Sequence, residues 1–60
     1  RKGVAAEQQR YRVAAGDSLT SIAIRFYADG SRWRDIYDAN RGRIGRDPDA
    51  VAVGTMLVIP

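Results

Sequence analysis

The chain has 60 residues, of which ten are lysine or arginine and seven are aspartate or glutamate, so its formal net charge is +3. A chain of this length forms one small domain, and the mild positive charge does not demand a polyanionic partner. It contains no cysteine and no histidine, which removes disulfides, the commonest metal ligands and the usual general base near neutral pH. No metal, cofactor or enzymatic activity is therefore expected. No apolar run approaches the ~20 residues that cross a bilayer, so membrane insertion is not expected either.

The first residues show no periodicity, and a strand is predicted directly after them. Residues 1–9 are predicted to be a linker that leads into the domain, which would occupy residues 10–60. Arg10–Ala14 alternates polar and apolar side chains, as is typical of a half-buried strand. We expect Tyr11 and Val13 to face the core and the arginines between them to face solvent.

Gly16 and Asp17 predict a turn that opens directly into an amphipathic helix at Ser18–Tyr27. Glycine adopts a positive φ at little steric cost, and either Asp17 or Ser18 can act as the N-cap. Ile24 lies away from the apolar stripe of this helix and is expected to be exposed. The stripe itself follows the i, i+3, i+4, i+7 pattern and consists of Leu19, Ile22, Ala23 and Phe26.

A short turn, Ala28–Ser31, separates this helix from a second one predicted at Arg32–Asn40. Ser31 is the expected N-cap of the second helix. Trp33 is expected in the core, because it shares a face with the apolar residues one turn further on. As a sugar-stacking platform it would have to be exposed, which this spacing argues against. Asn40 is expected to cap the end of the helix and to bond to the backbone of the following loop.

Residues 41–53 are predicted to be a long loop without a helix, because glycines and Pro48 interrupt it. Ile44 and Val51 are its expected anchors in the core. A second strand is predicted at Thr55–Ile59. Loops of this length that lack structure of their own are often functional.

The two predicted strands lie at opposite ends of the domain and are expected to pair with each other. A two-stranded ribbon is not stable alone, but two helices can cover one of its faces. The sequence therefore predicts an α+β fold of βααβ order, with a two-stranded antiparallel sheet and two helices packed on one face.

The charged side chains of the second half are interpreted as a solvated face. Arg34 and Asp38 form a predicted i, i+4 pair worth about 0.3 kcal/mol. Aromatic residues are not expected to be interleaved with the arginines of this region, so nucleic-acid binding is not expected either. These arginines are Arg32, Arg34, Arg41, Arg43 and Arg46.

Four motifs occur in order along the chain. They are Tyr11-x-Val13-x-x-Gly16-Asp17-Ser18-Leu19-x-x-Ile22-Ala23-x-x-Phe26-Tyr27, Asp29-Gly30-Ser31-x-Trp33-x-x-Ile36-Tyr37-x-Ala39-Asn40, Asp47-Pro48-Asp49, and Gly54-x-x-Leu57-x-Ile59-Pro60. In this order and at this spacing, the chain resembles the lysin motif (LysM) family over almost the whole domain. The βααβ fold of that family agrees with the fold predicted from the residues alone.

The resemblance implies a non-catalytic module that binds glycans containing N-acetylglucosamine, chiefly peptidoglycan or chitin, and anchors a larger protein to the bacterial cell wall. Such a protein would lie in the cell envelope. Free amides at the start of a helix can hold acetamide carbonyls, and a small apolar side chain such as that of Ala50 can receive the acetyl methyl. The implied ligand-binding residues are Gly16, Asp17, Ser18, Leu19 and Thr20 on one wall of a groove and Asp47, Pro48, Asp49, Ala50 and Val51 on the other.

The aspartates of these two walls also invite a glycosidase interpretation, with one acid and one base. Asp17, Asp47 and Asp49 would be the candidates. A shallow groove does not raise a carboxyl pKa, and a chain of this size has no room for an enclosed pocket, which argues against catalysis.

A second interpretation belongs to a different class of function. LysM-like domains also serve as structural adaptors in the baseplates of contractile phage tails and related injection machines, where they hold neighbouring proteins together without sugar. The loop before the second strand departs from the family pattern, which favours this alternative, and the chain would then belong to a virion or injection-particle tail. The docking surface would use Ile24, Met56 and Val58, with Val4 and Ala5 upstream.

Overall fold

A computed structural model describes residues 9–60 of the chain. Residues 1–8 of the predicted linker, including Val4 and Ala5 of the alternative docking surface, lie outside the described residues. One strand precedes the helices along the chain and one follows them, and these two strands pair in an antiparallel sheet. The predicted α+β fold of βααβ order is thereby confirmed. The elements are β1 (Gln9–Arg12), α1 (Leu19–Tyr27), a 3-10 helix (Gly30–Arg32), α2 (Trp33–Ala39), α3 (Arg41–Ile44) and β2 (Met56–Ile59).

The core lies between the sheet and the two longer helices. The sheet register places Tyr11 opposite Leu57 and Arg12 opposite Met56. Phe26 and Trp33, both predicted in the core, are only partly buried against it. The fully formed core consists of Val13, Leu19, Ile22, Ala23, Ile36, Tyr37, Leu57 and Ile59.

A reciprocal cap starts α1. The Ser21 amide donates to Ser18 Oγ at 3.1 Å, and the Ser18 amide donates to Ser21 Oγ at 2.9 Å. Asp17, the other predicted cap, instead accepts hydrogen bonds from the Tyr11 hydroxyl at 2.5 Å and from the Ala14 amide at 3.0 Å. Ser18 therefore fixes the helix, whereas Asp17 fixes the turn between strand and helix.

The cap of the second helical segment differs from the prediction. The 3-10 helix leads directly into α2, and its N-cap is Asp29 rather than Ser31. Both the amide and the hydroxyl of Ser31 donate to Asp29 Oδ1, at 3.0 and 2.7 Å. A carboxylate placed before the segment reaches the first free amides, which Ser31 cannot do from inside the turn.

The arginines of the second half contact aromatic rings, so the expectation that no aromatic residues are interleaved with them is wrong. A flat guanidinium stacks on a ring at little cost in hydration. The predicted ion pair is also wrong: Asp38 Oδ1 pairs with Arg41 Nη2 at 2.9 Å instead of with Arg34. The distances from guanidinium carbon to ring centroid are 4.2 Å for Arg32 over Tyr27, 5.2 Å for Arg34 over Trp33 and 4.9 Å for Arg41 over Tyr37.

The segment predicted to contain no helix includes the single turn α3. The Ile44 amide donates to the Asn40 carbonyl at 2.9 Å. One internal glycine, Gly42, costs only about 1 kcal/mol relative to alanine, and the packing of Ile44 against the core offsets it. Gly45 ends the turn with a φ of +93°. Ile44 and Val51 both pack against the core, which confirms the predicted anchors.

Asn40 joins the end of α2 to strand β2, and only 3% of its surface is exposed. Its Nδ2 donates to the carbonyls of Ile36 and Val58 at 2.7 and 2.8 Å, and its Oδ1 accepts from the Val58 amide at 2.9 Å. Val58 lies opposite Arg10, and alternate residues of an antiparallel strand direct their polar groups away from the partner strand. The Asn40 side chain therefore satisfies the outer edge of β2, in place of the predicted bond to the loop.

We expect Asn40→Ala to lower the free energy of unfolding by about 2 kcal/mol, because the amide and carbonyl of Val58 would lose their partners. Urea denaturation followed by circular dichroism measures this change. Asp38→Ala is the control: it removes a half-exposed carboxylate and is expected to change the stability by less than about 0.5 kcal/mol. Equal losses in the two variants would contradict the role assigned to Asn40.

Candidate functional site

An open cavity of about 230 Å³ lies between the start of α1 and the loop that precedes β2. Pockets that enclose small molecules usually measure roughly 300–1,000 Å³, so this one suits a short part of an extended ligand. Its walls come from three separate segments of the chain. The lining residues are Ser18, Leu19, Thr20, Trp33, Pro48 and Asp49.

The first wall is the start of α1. The amides of Ser21 and Ile22 bond to Ser18, through its hydroxyl and its carbonyl. Within residues 9–60, the amides of Leu19 and Thr20 have no hydrogen-bond acceptor, as is usual for the first residues of a helix. Leu19 and Thr20 both line the cavity, so these two amide donors belong to residues of its first wall.

The second wall is a tight turn before β2. The Asp49 amide donates to Asp47 Oδ1 at 2.9 Å, and the Ala50 amide donates to the Asp47 carbonyl at 3.0 Å. This turn leaves Pro48 half-buried and the Asp49 side chain exposed at the cavity. The wall thus combines an apolar ring with a carboxylate.

The cavity brings together five of the ten residues that the resemblance implied, from both expected walls. The other five do not line it. Gly16 adopts a φ of +86° in the turn before α1, where Asp17 holds β1 to the helix. Asp47 shapes the second turn, Ala50 is exposed beside it, and Val51 packs against the core. A role in ligand binding remains a prediction for all ten.

Trp33 is the lining residue that the sequence interpretation assigned to the core in preference to a sugar-stacking platform. It is half-buried, packs against the core, and places its ring centroid 6.3 Å from that of Tyr37. Trp33 is also one of the residues that line the cavity. The signal that the sequence offered for this is the position of Trp33 near the start of the predicted second helix, one turn before Ile36.

The electrostatics of the α1 wall depend on the bond between Tyr11 and Asp17. The hydrogen bond from the Tyr11 hydroxyl, followed by that from the Ala14 amide, lowers the pKa of Asp17 below its ordinary value. The same bond, together with partial desolvation, raises the pKa of Tyr11. These bonds favour the anionic form of Asp17, and both of them are made to its Oδ2.

The sequence of the chain matches a known protein family. A sequence profile described as LysM domain matches residues 11–60, and the chain belongs to this family. The resemblance inferred from the motifs is thereby confirmed. LysM domains are binding domains for glycans that contain N-acetylglucosamine, they are not catalytic themselves, and they typically occur in extracytoplasmic proteins.

Two curated mycobacterial proteins are similar to the chain. Esterase MT1326 of Mycobacterium tuberculosis (strain CDC 1551 / Oshkosh) and Esterase Rv1288 of strain H37Rv are each 44% identical to it over 52 residues. The match covers 85% of this chain and 10% of each of theirs. The chain thus spans about a tenth of the length of these relatives.

Two further properties concern only residues 9–60. No helix in this part of the chain combines the length and apolar character that a membrane span requires. The same residues contain no group of three or more carboxylate, histidine or cysteine side chains that could hold a metal ion.

We expect the stability of the domain to fall in acid because the folded state lowers the pKa of Asp17. This contribution is complete above the unfolded pKa of about 3.9, and it is lost as the pH falls through the lower folded pKa. Asp17→Asn should therefore lower the melting temperature at pH 7, and the difference from the unmodified chain should shrink below about pH 4.

Tyr11→Phe provides the matched comparison, because it keeps the edge-on ring contact with Phe26 and removes only the hydroxyl. Its effect on the melting temperature should shrink in the same pH range. A constant difference between pH 7 and pH 2 in both variants would contradict the role of this bond.

Proposed function

We propose that residues 10–60, together with Gln9 of β1, form a glycan-binding module that recognises polymers containing N-acetylglucosamine, that the residues before Gln9 lead into it, and that it attaches a larger protein to the bacterial cell wall. The observation that carries this proposal is the composition of the cavity. Free amides, apolar surface and a carboxylate meet there between the two segments that the family resemblance implies.

An N-acetylated sugar offers groups that complement each part of this cavity. Its acetamide carbonyl is an acceptor for the free amides of Leu19 and Thr20. Its acetyl methyl matches the apolar ring of Pro48, which lines the cavity where Ala50 was expected to do so. Its hydroxyl groups are donors for the exposed carboxylate of Asp49.

The proposal that the module anchors a larger protein rests on the expected affinity of the groove and on the length of the relatives. A shallow groove with few contacts binds weakly, and linked copies strengthen binding through effective concentration. The relatives carry the matched region within chains about ten times as long, which fits a small module attached to a larger protein. The cell envelope is accordingly the proposed location.

The name esterase belongs to the relatives, and we do not extend that activity to this chain. The matched region covers a tenth of each relative. An esterase triad needs a histidine as general base, and this sequence contains none.

The structural adaptor of a phage-tail baseplate is the second candidate. Exposed apolar side chains favour it, since Ile24 is 55% exposed on α1 and Met56 is 36% exposed on β2. Val58 is half-buried. Single exposed apolar residues are common on soluble domains, so this observation supports docking less directly than the cavity supports glycan binding.

We expect the chain to be retained on insoluble peptidoglycan or chitin in a sedimentation assay. Asp49→Ala should weaken retention about two- to tenfold, because the cavity would lose its hydroxyl-binding carboxylate. Asp38→Ala is the matched control, since it removes an equally charged, exposed carboxylate that pairs with Arg41 outside the cavity.

A chain that stays in the supernatant at high protein concentration with both polymers would contradict glycan binding and favour the adaptor. Equal weakening by the two alanine variants would indicate a general charge effect and contradict the proposed site.

A further inference from the structure

We propose that Trp33 is a ligand-contacting residue whose indole stacks against a sugar ring held in the cavity. This inference rests on the proposed glycan-binding function and names a contact that the motif resemblance did not supply. The expected substrate class is a β-linked N-acetylglucosamine polymer, because the equatorial substituents of that sugar leave flat C–H faces for an aromatic ring.

The position of Trp33 provides the first argument. It begins α2 and lines the cavity together with the start of α1 and the turn at Pro48 and Asp49. A pyranose has two apolar faces and a polar rim. The cavity offers apolar surface at Trp33 and Pro48, and polar groups at Asp49 and the free amides of α1. The two patterns are complementary.

The burial of Trp33 provides the second argument. A residue that served the core alone would be enclosed, as Ile36 is on the same helix with 0% of its surface exposed. Trp33 instead packs only part of its side chain against the core. Part of the Trp33 side chain therefore lies outside the core, and the residue lines the cavity.

The neighbours of Trp33 hold its ring in place before any ligand binds. Tyr37 lies at a centroid distance of 6.3 Å, and the Arg34 guanidinium lies 5.2 Å from the indole centroid. Tyr37 is fixed in turn, because its hydroxyl donates to the Gly45 carbonyl at 2.6 Å. A ring that is already ordered loses little side-chain freedom on binding, which favours affinity in a site with few contacts.

The chain offers a direct measurement, since Trp33 is its single tryptophan. We would titrate the chain with the β-1,4-linked hexamer of N-acetylglucosamine and follow tryptophan emission, with calorimetry on the same samples. Stacking predicts a saturable change in emission with the same dissociation constant as the calorimetric one.

A pair of variants separates stacking from general packing. Trp33→Leu should weaken hexamer binding about three- to tenfold, because leucine keeps apolar volume and lacks an aromatic face. Phe26→Leu makes the same change at a partly buried aromatic residue outside the cavity and should leave the affinity unchanged. Circular dichroism establishes that both variants are folded.

The outcomes distinguish this inference from the proposed function. Calorimetric binding without a change in emission would overturn the stacking role and leave glycan binding intact, and so would a folded Trp33→Leu variant with unchanged affinity. Absence of calorimetric binding, together with absence of retention on peptidoglycan, would overturn both. The emission titration of the unmodified chain tests the stacking role of Trp33 even if Trp33→Leu does not fold.

Discussion

The buried side chain of Asn40 is the contact on which the small domain depends. Two strands of four residues do not form a stable sheet by themselves, and the outer edge of β2 would present unpaired polar groups. Asn40 bonds to both the amide and the carbonyl of Val58 and ties them to the carbonyl of Ile36 in α2. The Asn40 side chain thus makes the hydrogen bonds that a third strand would make to β2, and it also bonds to the last turn of α2. A charged or apolar side chain of similar size cannot do both.

The geometry of the cavity follows from this attachment. Asn40 fixes the end of α2 against β2, while Asp29 caps the 3-10 helix in front of α2. Trp33 begins α2 and is held between these two fixed points. The turn α3 starts directly after Asn40 and leads the chain toward the wall that contains Pro48. The third segment is α1, which the bond between Tyr11 and Asp17 joins to β1 through its preceding turn. The cavity is therefore lined by the starts of two helices and by one tight turn.

The features that depend on periodicity could be predicted from the sequence, whereas the features that depend on long-range contacts could not. Alternation and the i, i+3, i+4 pattern gave the two strands and the stripe of α1, because local spacing specifies which face is buried. The turn α3 escaped prediction, since glycine lowers helix propensity locally and only the packing of Ile44 in the folded chain compensates. The strand partner of Asn40 lies 18 residues away, and no local signal indicates it. Trp33 was assigned to the core from its spacing, which indicates the face of a residue but not how far the core extends along the helix.

The carboxylates near the cavity differ from those of a glycosidase active site. A glycosidase keeps one carboxyl group protonated near neutral pH by burying it, beside a second that stays ionised. The pKa of Asp17 moves in the opposite direction, because Tyr11 and Ala14 donate hydrogen bonds to its anionic form. Asp47 uses an oxygen to hold the amide of Asp49, and Asp49 lies exposed at an open cavity rather than in an enclosed apolar site. These groups can accept hydrogen bonds from sugar hydroxyls, which is the chemistry that the proposed glycan binding requires.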